Sequence, residues 1–326
     1  MTKKIVIAGK NTIAVKFAEY LKLNFEYEIL SVLNSNETFT DSYEKSFGLW
    51  CKRNKVKIIT LQQAKKIKNV IFFSIEYDKI INPEEFSNSY LFNIHFSYLP
   101  YYRGVYTSFW PILNNETFSG VSLHKIDKGV DSGDIIDQKK IFLNKNITAR
   151  KLYSLYSKHA FLLLINNFVR ITQNNYRAKK QNLDYGSYYN KKSFDFNQAE
   201  INLNENFDNL SRFVRALNFK DFQFATYKGT QISAVTIFDN YKYKKFLNEY
   251  FFKASCADCE VLIWKEVSEE IIRLSKEDNL DAIIDLYTYH PFVDFDIFDD
   301  DLNHLTQILK VAKSSKVSNF LKSISW

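Results

Sequence analysis

Five short apolar runs, Lys4 to Ala8, Glu28 to Leu33, Lys57 to Thr60, Asn69 to Ile75 and Tyr90 to Phe96, recur through the first hundred residues. The stretches between them are helical in spacing. Ile13, Phe17, Ala18 and Leu21 follow the turn at Gly9 on one helix face, behind the cap candidates Asn11 and Thr12, and further helices are expected around Tyr43 to Asn54 and Leu61 to Lys68. Strand and helix alternating in this way form a mainly parallel sheet with helices on its faces.

Beyond the fifth run the pattern gives a short helix around Ser108 to Leu113, a strand from Phe118 to Ile126, a tight turn from Asp127 to Gly133 and a strand from Asp134 to Ile141. A long helix from Thr148 to about Thr172 sets Leu152, Leu155, Tyr156, His159 and Leu163 on one face. Residues 174–200 lack periodicity. From Phe207 the pattern changes to a helix (Leu210 to Leu217), strands near Ala225 to Tyr227, Gln231 to Phe238, Glu260 to Lys265, Glu270 to Leu274 and Asp281 to Tyr287, and a last helix from about Asp300. The expectation is an α/β chain: a Rossmann-like, mainly parallel sheet domain over 1–180, a linker over 181–206, and a smaller β-rich C-terminal module with a helical tail over 207–326.

At 46% hydrophobic and 25% charged residues, the composition excludes a disordered chain. Three cysteines are too few for a disulfide framework, which points to a reducing compartment. The apolar segment after Met1 is too short for a signal peptide, and no run reaches the ~18 apolar residues of a membrane span. A cytoplasmic protein without membrane insertion is expected. The formal net charge is +7, but residues 1–200 carry +11 and residues 201–326 carry −4, and only eight of the 44 basic residues are arginine. The lysines read as a solvated surface, so no nucleic-acid partner is expected.

Four of the eight glycines fall between Gly104 and Gly133, and the chemistry lies there. In Asn93-Ile-His95 the amide and the imidazole, two residues apart on a strand, face one side at a C-terminal strand end. Open parallel sheets bind ligands at that end. An imidazole supplies a proton acceptor and an amide an oxyanion donor, while a carboxylate from the turn Asp127-Lys-Gly-Val-Asp131-Ser-Gly133 would fix the ring and stabilise its protonated form. The set suits acyl transfer. Gly9 lacks the further glycines of a dinucleotide fingerprint and the Lys-Ser/Thr of a P-loop. Its turn is either a plain strand-to-helix connection or a diphosphate contact with Lys10 as counter-charge.

The two blocks, Asn93-Ile-His-Phe-Ser-Tyr-Leu-Pro-Tyr-Tyr-Arg-Gly104 and Asp127 to Gly133, resemble the folate-dependent formyltransferases. That family includes glycinamide ribonucleotide, methionyl-tRNA and nucleotide-sugar N-formyltransferases. The resemblance covers about the first 170 residues and, more weakly, Phe213 to Val235. It implies Asn93, His95 and Asp131 as catalytic residues and N10-formyltetrahydrofolate as co-substrate, with no metal. His95 would accept the proton, Asn93 would donate to the oxyanion and Asp131 would balance His95. It further implies a pterin against the main chain of Phe73, Ser74 and Tyr77 and of the Asp127, Gly129 and Asp131 turn. An acceptor would meet Lys10, Asn11, Tyr98, Tyr102, Arg103 and Gly104.

An acidic C-terminal module disfavours a methionyl-tRNA acceptor, and its presence disfavours a glycinamide ribonucleotide enzyme. A nucleotide-linked amino sugar remains, by resemblance dTDP-4-amino-4,6-dideoxyglucose, destined for lipopolysaccharide O-antigen. Methionyl-tRNA formyl transfer and a catalytically silent folate or nucleotide-sugar binding protein are the alternatives. His124 and His159 are expected to be structural, and His290 and His304 match no motif. Cys256-Ala-Asp-Cys259 reads as two reduced thiols rather than a zinc or redox pair, and Asp294, Asp296 and Asp299 to Asp301 as acidic residues before a helix. Phe292, Phe295, Phe298 and Trp326 suggest a homodimer through the C-terminal module.

Overall fold

The computed structural model describes residues 4–42, 44–87, 90–220, 222–238 and 249–289. The chain forms two compact units. One comprises Met1–Pro111, Glu116–Lys145 and Lys151–Ser193; the other comprises Ile112–Asn115, Asn146–Arg150 and the described residues from Phe194 onward.

In the first unit the apolar runs become strands β1 (Lys4–Gly9), β2 (Glu28–Leu33), β3 (Lys57–Ile58), β4 (Ile71–Ile75) and β5 (Tyr90–His95). Two further strands of this sheet are β7 (Phe118–Lys125) and β8 (Ile135–Phe142). The sheet order is β3-β2-β1-β4-β5-β7-β8. Its first five strands are parallel, β7 runs antiparallel to β5, and β8 runs antiparallel to β7. Apolar residues fill both faces of the central strands, as a sheet covered on both sides requires. Val6, Ala8, Leu30, Val32, Phe72 and Leu91 form one buried layer with Ile59, Ala64 and Phe86. On the other face Phe73 meets Phe17 of helix α1 (Asn11–Asn24) edge-on at 5.1 Å, and both touch Phe168 of helix α5 (Ala149–Thr172). Helices α2 (Phe47–Arg53), α3 (Leu61–Lys65) and α4 (Trp110–Leu113) complete the connections.

Gly9 is required where β1 leaves the sheet, because a Cβ there would lie 1.9 Å from the Ile75 carbonyl oxygen of β4. The expected caps Asn11 and Thr12 do not cap α1. Its start is met from outside, by Glu44 Oε2 accepting from the Thr12 N–H at 2.9 Å. On α5 the buried stripe runs through Leu152, Tyr156, Ala160, Leu163, Leu164 and Phe168. His159, expected within that stripe, is half-exposed instead.

The segment expected as a linker from residue 181 is bonded into this unit as far as Tyr189. Strand β9 (Tyr188–Tyr189) pairs in parallel with β6 (Arg103–Gly104). Lys179 and Ile135 exchange backbone hydrogen bonds of 2.7 and 2.8 Å. Strands of two residues carry no readable alternation, which is why the sequence looks structureless here.

In the second unit helix α6 (Phe207–Leu217) accompanies an antiparallel sheet of β10 (Ala225–Tyr227), β11 (Thr230–Ile237), β13 (Glu260–Lys265) and β12 (Phe251–Ser255), in that order. Two expected strands are helices: α7 (Ser268–Lys276) and α8 (Leu280–Tyr289). Ile271 and Leu274 are buried at helical spacing, and Arg273 pairs with Glu270 and Glu277 at i−3 and i+4. Short apolar runs are ambiguous between the two states, and here the charge pattern decides. Strand β12 was not anticipated. His290, His304, the aspartates from Asp294, the aromatic residues Phe292, Phe295, Phe298 and Trp326, and the helix expected from Asp300 lie outside the described residues. Among the described residues no helix is long and apolar enough to cross a membrane.

Candidate active site

Strand β5 ends at His95, and Asn93 shares its face. Antiparallel β7 sets His124 opposite Asn93 and Ser122 opposite His95, and directly opposed residues also share a face. The turn after β7 then returns over this corner. Asp127 Oδ1 closes it by accepting from the Gly129 N–H at 3.1 Å and the Ser132 hydroxyl at 2.7 Å, and Asp131 sits at its tip with φ 51°. The chain beyond α5 secures the turn: Gln181 Nε2 donates to the carbonyls of Asp131 at 2.9 Å and Gly133 at 2.7 Å.

Four side chains meet there. Asn93 Nδ2 lies 3.2 Å from Asp131 Oδ1 and 3.0 Å from His124 Nε2. His95 Nδ1 lies 3.5 Å from Asp131 Oδ2, and its Nε2 lies 2.9 Å from the Tyr102 carbonyl oxygen. A carbonyl only accepts, so Nε2 carries a proton and Nδ1 faces the carboxylate. A proton arriving at Nδ1 completes an ion pair. Burial pushes the Asp131 carboxyl up, but His95 and His124 beside it and the Gly104 N–H, donating to Oδ2 at 3.0 Å, hold it well below the usual carboxylate range. The His95 and Asp131 side chains are 9% and 13% exposed, enclosed yet open to a ligand.

The structure thus brings Asn93, His95 and Asp131 together, as the spacing anticipates. It also places His124, expected to be structural, against Asn93 and Asp131. Only the β5–β7 register could have revealed that, since nothing in the spacing from 93 to 124 sets a cross-strand pair.

Other expected site residues are placed differently. Tyr102 is 5% exposed; its hydroxyl donates to Glu116 at 2.6 Å and its ring stacks on Tyr189, so its main chain serves the site and its side chain does not. Tyr98 packs on the β7–β8 hairpin against Phe118 and beneath Lys140. Phe73 and Ser74 are buried in mid-sheet, with main chain paired to Ile7 and Phe92 and to Ala8 and Asn93, which leaves no ladder group for a pterin. Tyr77, beyond the strand end, packs on the core, while Lys128 and Gly129 of the turn are exposed next to Asp131. Arg103 lies with its guanidinium 5.9 Å from the Tyr188 ring, and its buried Nε has no hydrogen-bond partner.

The start of α1 does not fit the expected diphosphate contact. Asn11 Nδ2 donates to Glu76 Oε2 at 3.1 Å, and Glu44 already takes the Thr12 N–H. Both donors that a diphosphate would use there are thus engaged, and the Glu44 carboxylate beside them opposes an anion. Glu76, in the left-handed region at φ 54° just past β4, also accepts from the Tyr153 hydroxyl at 2.9 Å. Burial, reinforced by Glu44, raises its carboxyl to about 7 against the pull of Lys10, Tyr153 and Asn11. The folded chain therefore binds a proton more tightly than the unfolded one, and stability falls as pH rises from the ordinary carboxylate range through 7. Glu76→Gln removes that loss. Its stabilising effect should grow between pH 5 and pH 8 by about 1 to 2 kcal/mol for this partly exposed group. Melting curves at the two pH values check it, and an equal effect at both would contradict the raised value.

In the second unit Cys256 and Cys259 Sγ atoms lie 3.6 Å apart at the β12–β13 turn, and the Cys256 thiol donates to Asp258 at 3.2 Å. Burial and Cys256 push the Cys259 thiol up to about 12, which keeps it protonated. With the Asp258 carboxylate, the two thiols place three ligand-type atoms within 4.8 Å of one another.

Residues 52–166 match the family model for formyl transferase. The chain is 39% identical to the N-formyltransferase of Helicobacter canadensis, crystallised with folinic acid and dTDP-3-aminofucose; the match covers 81% of this chain and 99% of that one, with a TM-score of 0.73. It is 36% identical to WlaRD, a sugar 3-N-formyl transferase solved in the presence of dTDP and 5-N-formyl-tetrahydrofolate, over 81% of this chain and 98% of that one, again with a TM-score of 0.73. Among curated proteins it is 27% identical over 228 residues to the bifunctional polymyxin resistance protein ArnA of Wigglesworthia glossinidia brevipalpis, covering 66% of this chain and 34% of that protein. The chain spans 34% to 56% of the length of the first curated relatives it matches.

Proposed function

The chain belongs to the formyltransferase family, and from that premise we propose that it formylates the amino group of a dTDP-linked 3-amino-3,6-dideoxyhexose, with N10-formyltetrahydrofolate as donor. The observation that carries the reading is the cluster of Asn93, His95 and Asp131 at the end of β5. The likeness to two sugar N-formyltransferases over nearly their whole length supports the acceptor class. The 4-amino sugar expected from the sequence gives way to a 3-amino sugar, because both of these relatives are described by 3-amino chemistry. A role in O-antigen synthesis remains the expected destination of the product.

The donor folate supplies the formyl carbon as electrophile. As the acceptor nitrogen bonds to that carbon it must lose a proton, and His95 Nδ1 is placed to take it because Asp131 stabilises the resulting imidazolium. The proton is then available to the departing folate nitrogen. The exposed Lys128–Gly129 stretch next to Asp131 fits a pterin edge through its main chain. Arg103, whose buried Nε is unpartnered, suits the diphosphate better than the carboxylate-lined start of α1.

Methionyl-tRNA is disfavoured as acceptor by the net −4 of residues 201–326, since phosphate neutralisation dominates tRNA affinity. Mass spectrometry of the chain with N10-formyltetrahydrofolate and a panel of dTDP-linked 3- and 4-amino sugars tests the reading, with charged initiator tRNA alongside. A gain of about 28 Da, formyl replacing hydrogen, is expected on a 3-amino sugar. A gain on tRNA alone, or on none of them, would overturn it.

A further inference from the structure

The turn between β12 and β13 gathers three side chains that the site at the end of β5 does not use. Ser255 pairs with Glu260, so the strands are joined by Cys256-Ala-Asp-Cys259, and the Cys256 N–H closes the turn by donating to the Cys259 carbonyl at 2.9 Å. Its tip is anchored twice on the start of α6. The Ala257 N–H donates to the Glu205 carbonyl at 3.1 Å, and Asp258 Oδ1 accepts from the Phe207 N–H at 2.9 Å. Within this fixed turn the two sulfurs lie 3.6 Å apart, and Asp258 Oδ1 lies 3.2 Å from Cys256 Sγ. Both sulfurs and a carboxylate oxygen fall within 4.8 Å of one another. Cys256 and Cys259 are half-buried and Asp258 is exposed, so an ion can reach all three.

We propose that Cys256, Asp258 and Cys259 form a zinc site that clips the β12–β13 hairpin to the start of α6. Around a tetrahedral zinc, with Zn–S near 2.3 Å and Zn–O near 2.1 Å, neighbouring sulfurs lie about 3.8 Å apart and a sulfur and an oxygen about 3.6 Å. The distances in the turn are already close to these edges, so the ion enters with little rearrangement. On binding, the two S–H bonds break, two zinc–sulfur bonds form and two protons pass to solvent. The carboxylate is the third ligand and water takes the fourth position. Asp258 can ligate and still cap α6, because a carboxylate has about four lone-pair sites and the Phe207 N–H uses one. Two thiolates favour zinc over magnesium or calcium, which prefer oxygen alone. The spacing Cys-x-x-Cys offers only two ligands by itself; the third comes from the turn, which points the reading away from two idle thiols.

Equilibrium dialysis of the reduced, metal-stripped full chain against zinc, with magnesium as control, tests the site. One zinc per chain is expected, with a Kd of about 1 μM or below, and no magnesium. Zinc should also shield two thiols from a thiol reagent, Cys51 being buried throughout. Cobalt in place of zinc should give the charge-transfer absorption of two thiolates. Replacing both cysteines, Cys256→Ser with Cys259→Ser, should weaken zinc binding at least about 100-fold and abolish a zinc-dependent rise of a few degrees in melting temperature. Asp258→Asn keeps an acceptor for the Phe207 N–H and so separates ligation from capping; it should weaken binding about 10-fold. No zinc uptake at about 10 μM free metal, ten times the expected Kd, would overturn the proposal, as would unchanged binding in either variant. A chain that takes no zinc when reduced but closes a Cys256–Cys259 disulfide in air would overturn it in favour of a redox pair. Should the double variant fail to fold, thiol shielding and the cobalt spectrum of the unaltered chain still decide.

Discussion

His95→Ala is expected to lower turnover by about 10³-fold or more while leaving the melting temperature within a few degrees of wild type. Its imidazole Nε2 donates to the Tyr102 carbonyl, and its Nδ1 faces the Asp131 carboxylate. Removing it takes away the proton acceptor and leaves Asp131 held by Asn93 and the Gly104 N–H. The turn therefore survives the loss of the ring. Asp131→Asn probes the same step from the other side: an amide oxygen can still accept from Gly104, but it cannot stabilise an imidazolium. A loss of similar size is expected there. Rates under saturating donor and acceptor, with circular dichroism of each variant, provide the measurement. Wild-type turnover in either variant would remove the proton transfer from His95 to which Asp131 is assigned.

The parallel half of the first sheet was legible in the sequence because its signals are local. Runs such as Ile5 to Ala8 and Ile71 to Ile75 are buried on both faces, and burial on both faces is what makes a strand a continuous apolar run. Asn93 and His95 were legible for a related reason, since two residues on one strand have a fixed mutual direction. What stayed hidden depends on contacts between distant parts of the chain. His124 joins the cluster through the antiparallel register of β5 and β7. Gln181 and Tyr189 join it through two-residue pairing and single hydrogen bonds, features with no period to detect. Glu44 and Glu76, 32 residues apart, meet at the start of α1 and turn an apparent anion site into an acidic one. Helices α7 and α8 were misread because Ile271-Ile272 and Ile283-Ile284 favour either state until tertiary burial selects one.

Gly104→Ala should show how far the site depends on the stretch that the sequence left featureless. Gly104 has φ +96°, and a Cβ there would lie 2.0 Å from the Tyr189 carbonyl oxygen and 3.0 Å from the Tyr188 ring. Retreat of β9 is opposed by stacking: the Tyr189 ring lies 4.1 Å from Trp110 and 5.8 Å from Tyr102. The alternative is for β6 to move, and β6 carries both the Gly104 N–H that holds Asp131 and, one residue before it, the Tyr102 carbonyl that holds His95. Steric strain at this glycine is thus transmitted to both ends of the His95–Asp131 pair. We expect a fall in melting temperature of several degrees, from about 1 to 3 kcal/mol of backbone strain plus lost pairing, and a drop in kcat of about 10- to 100-fold. Gly229→Ala separates the two causes. Gly229 also has a positive φ, +73°, but nothing lies within 4 Å of its added Cβ. That variant should lose about 1 kcal/mol and keep its kcat. If both substitutions lowered kcat alike, or Gly104→Ala kept full turnover, the pairing of β6 with β9 would not be what sets the catalytic geometry.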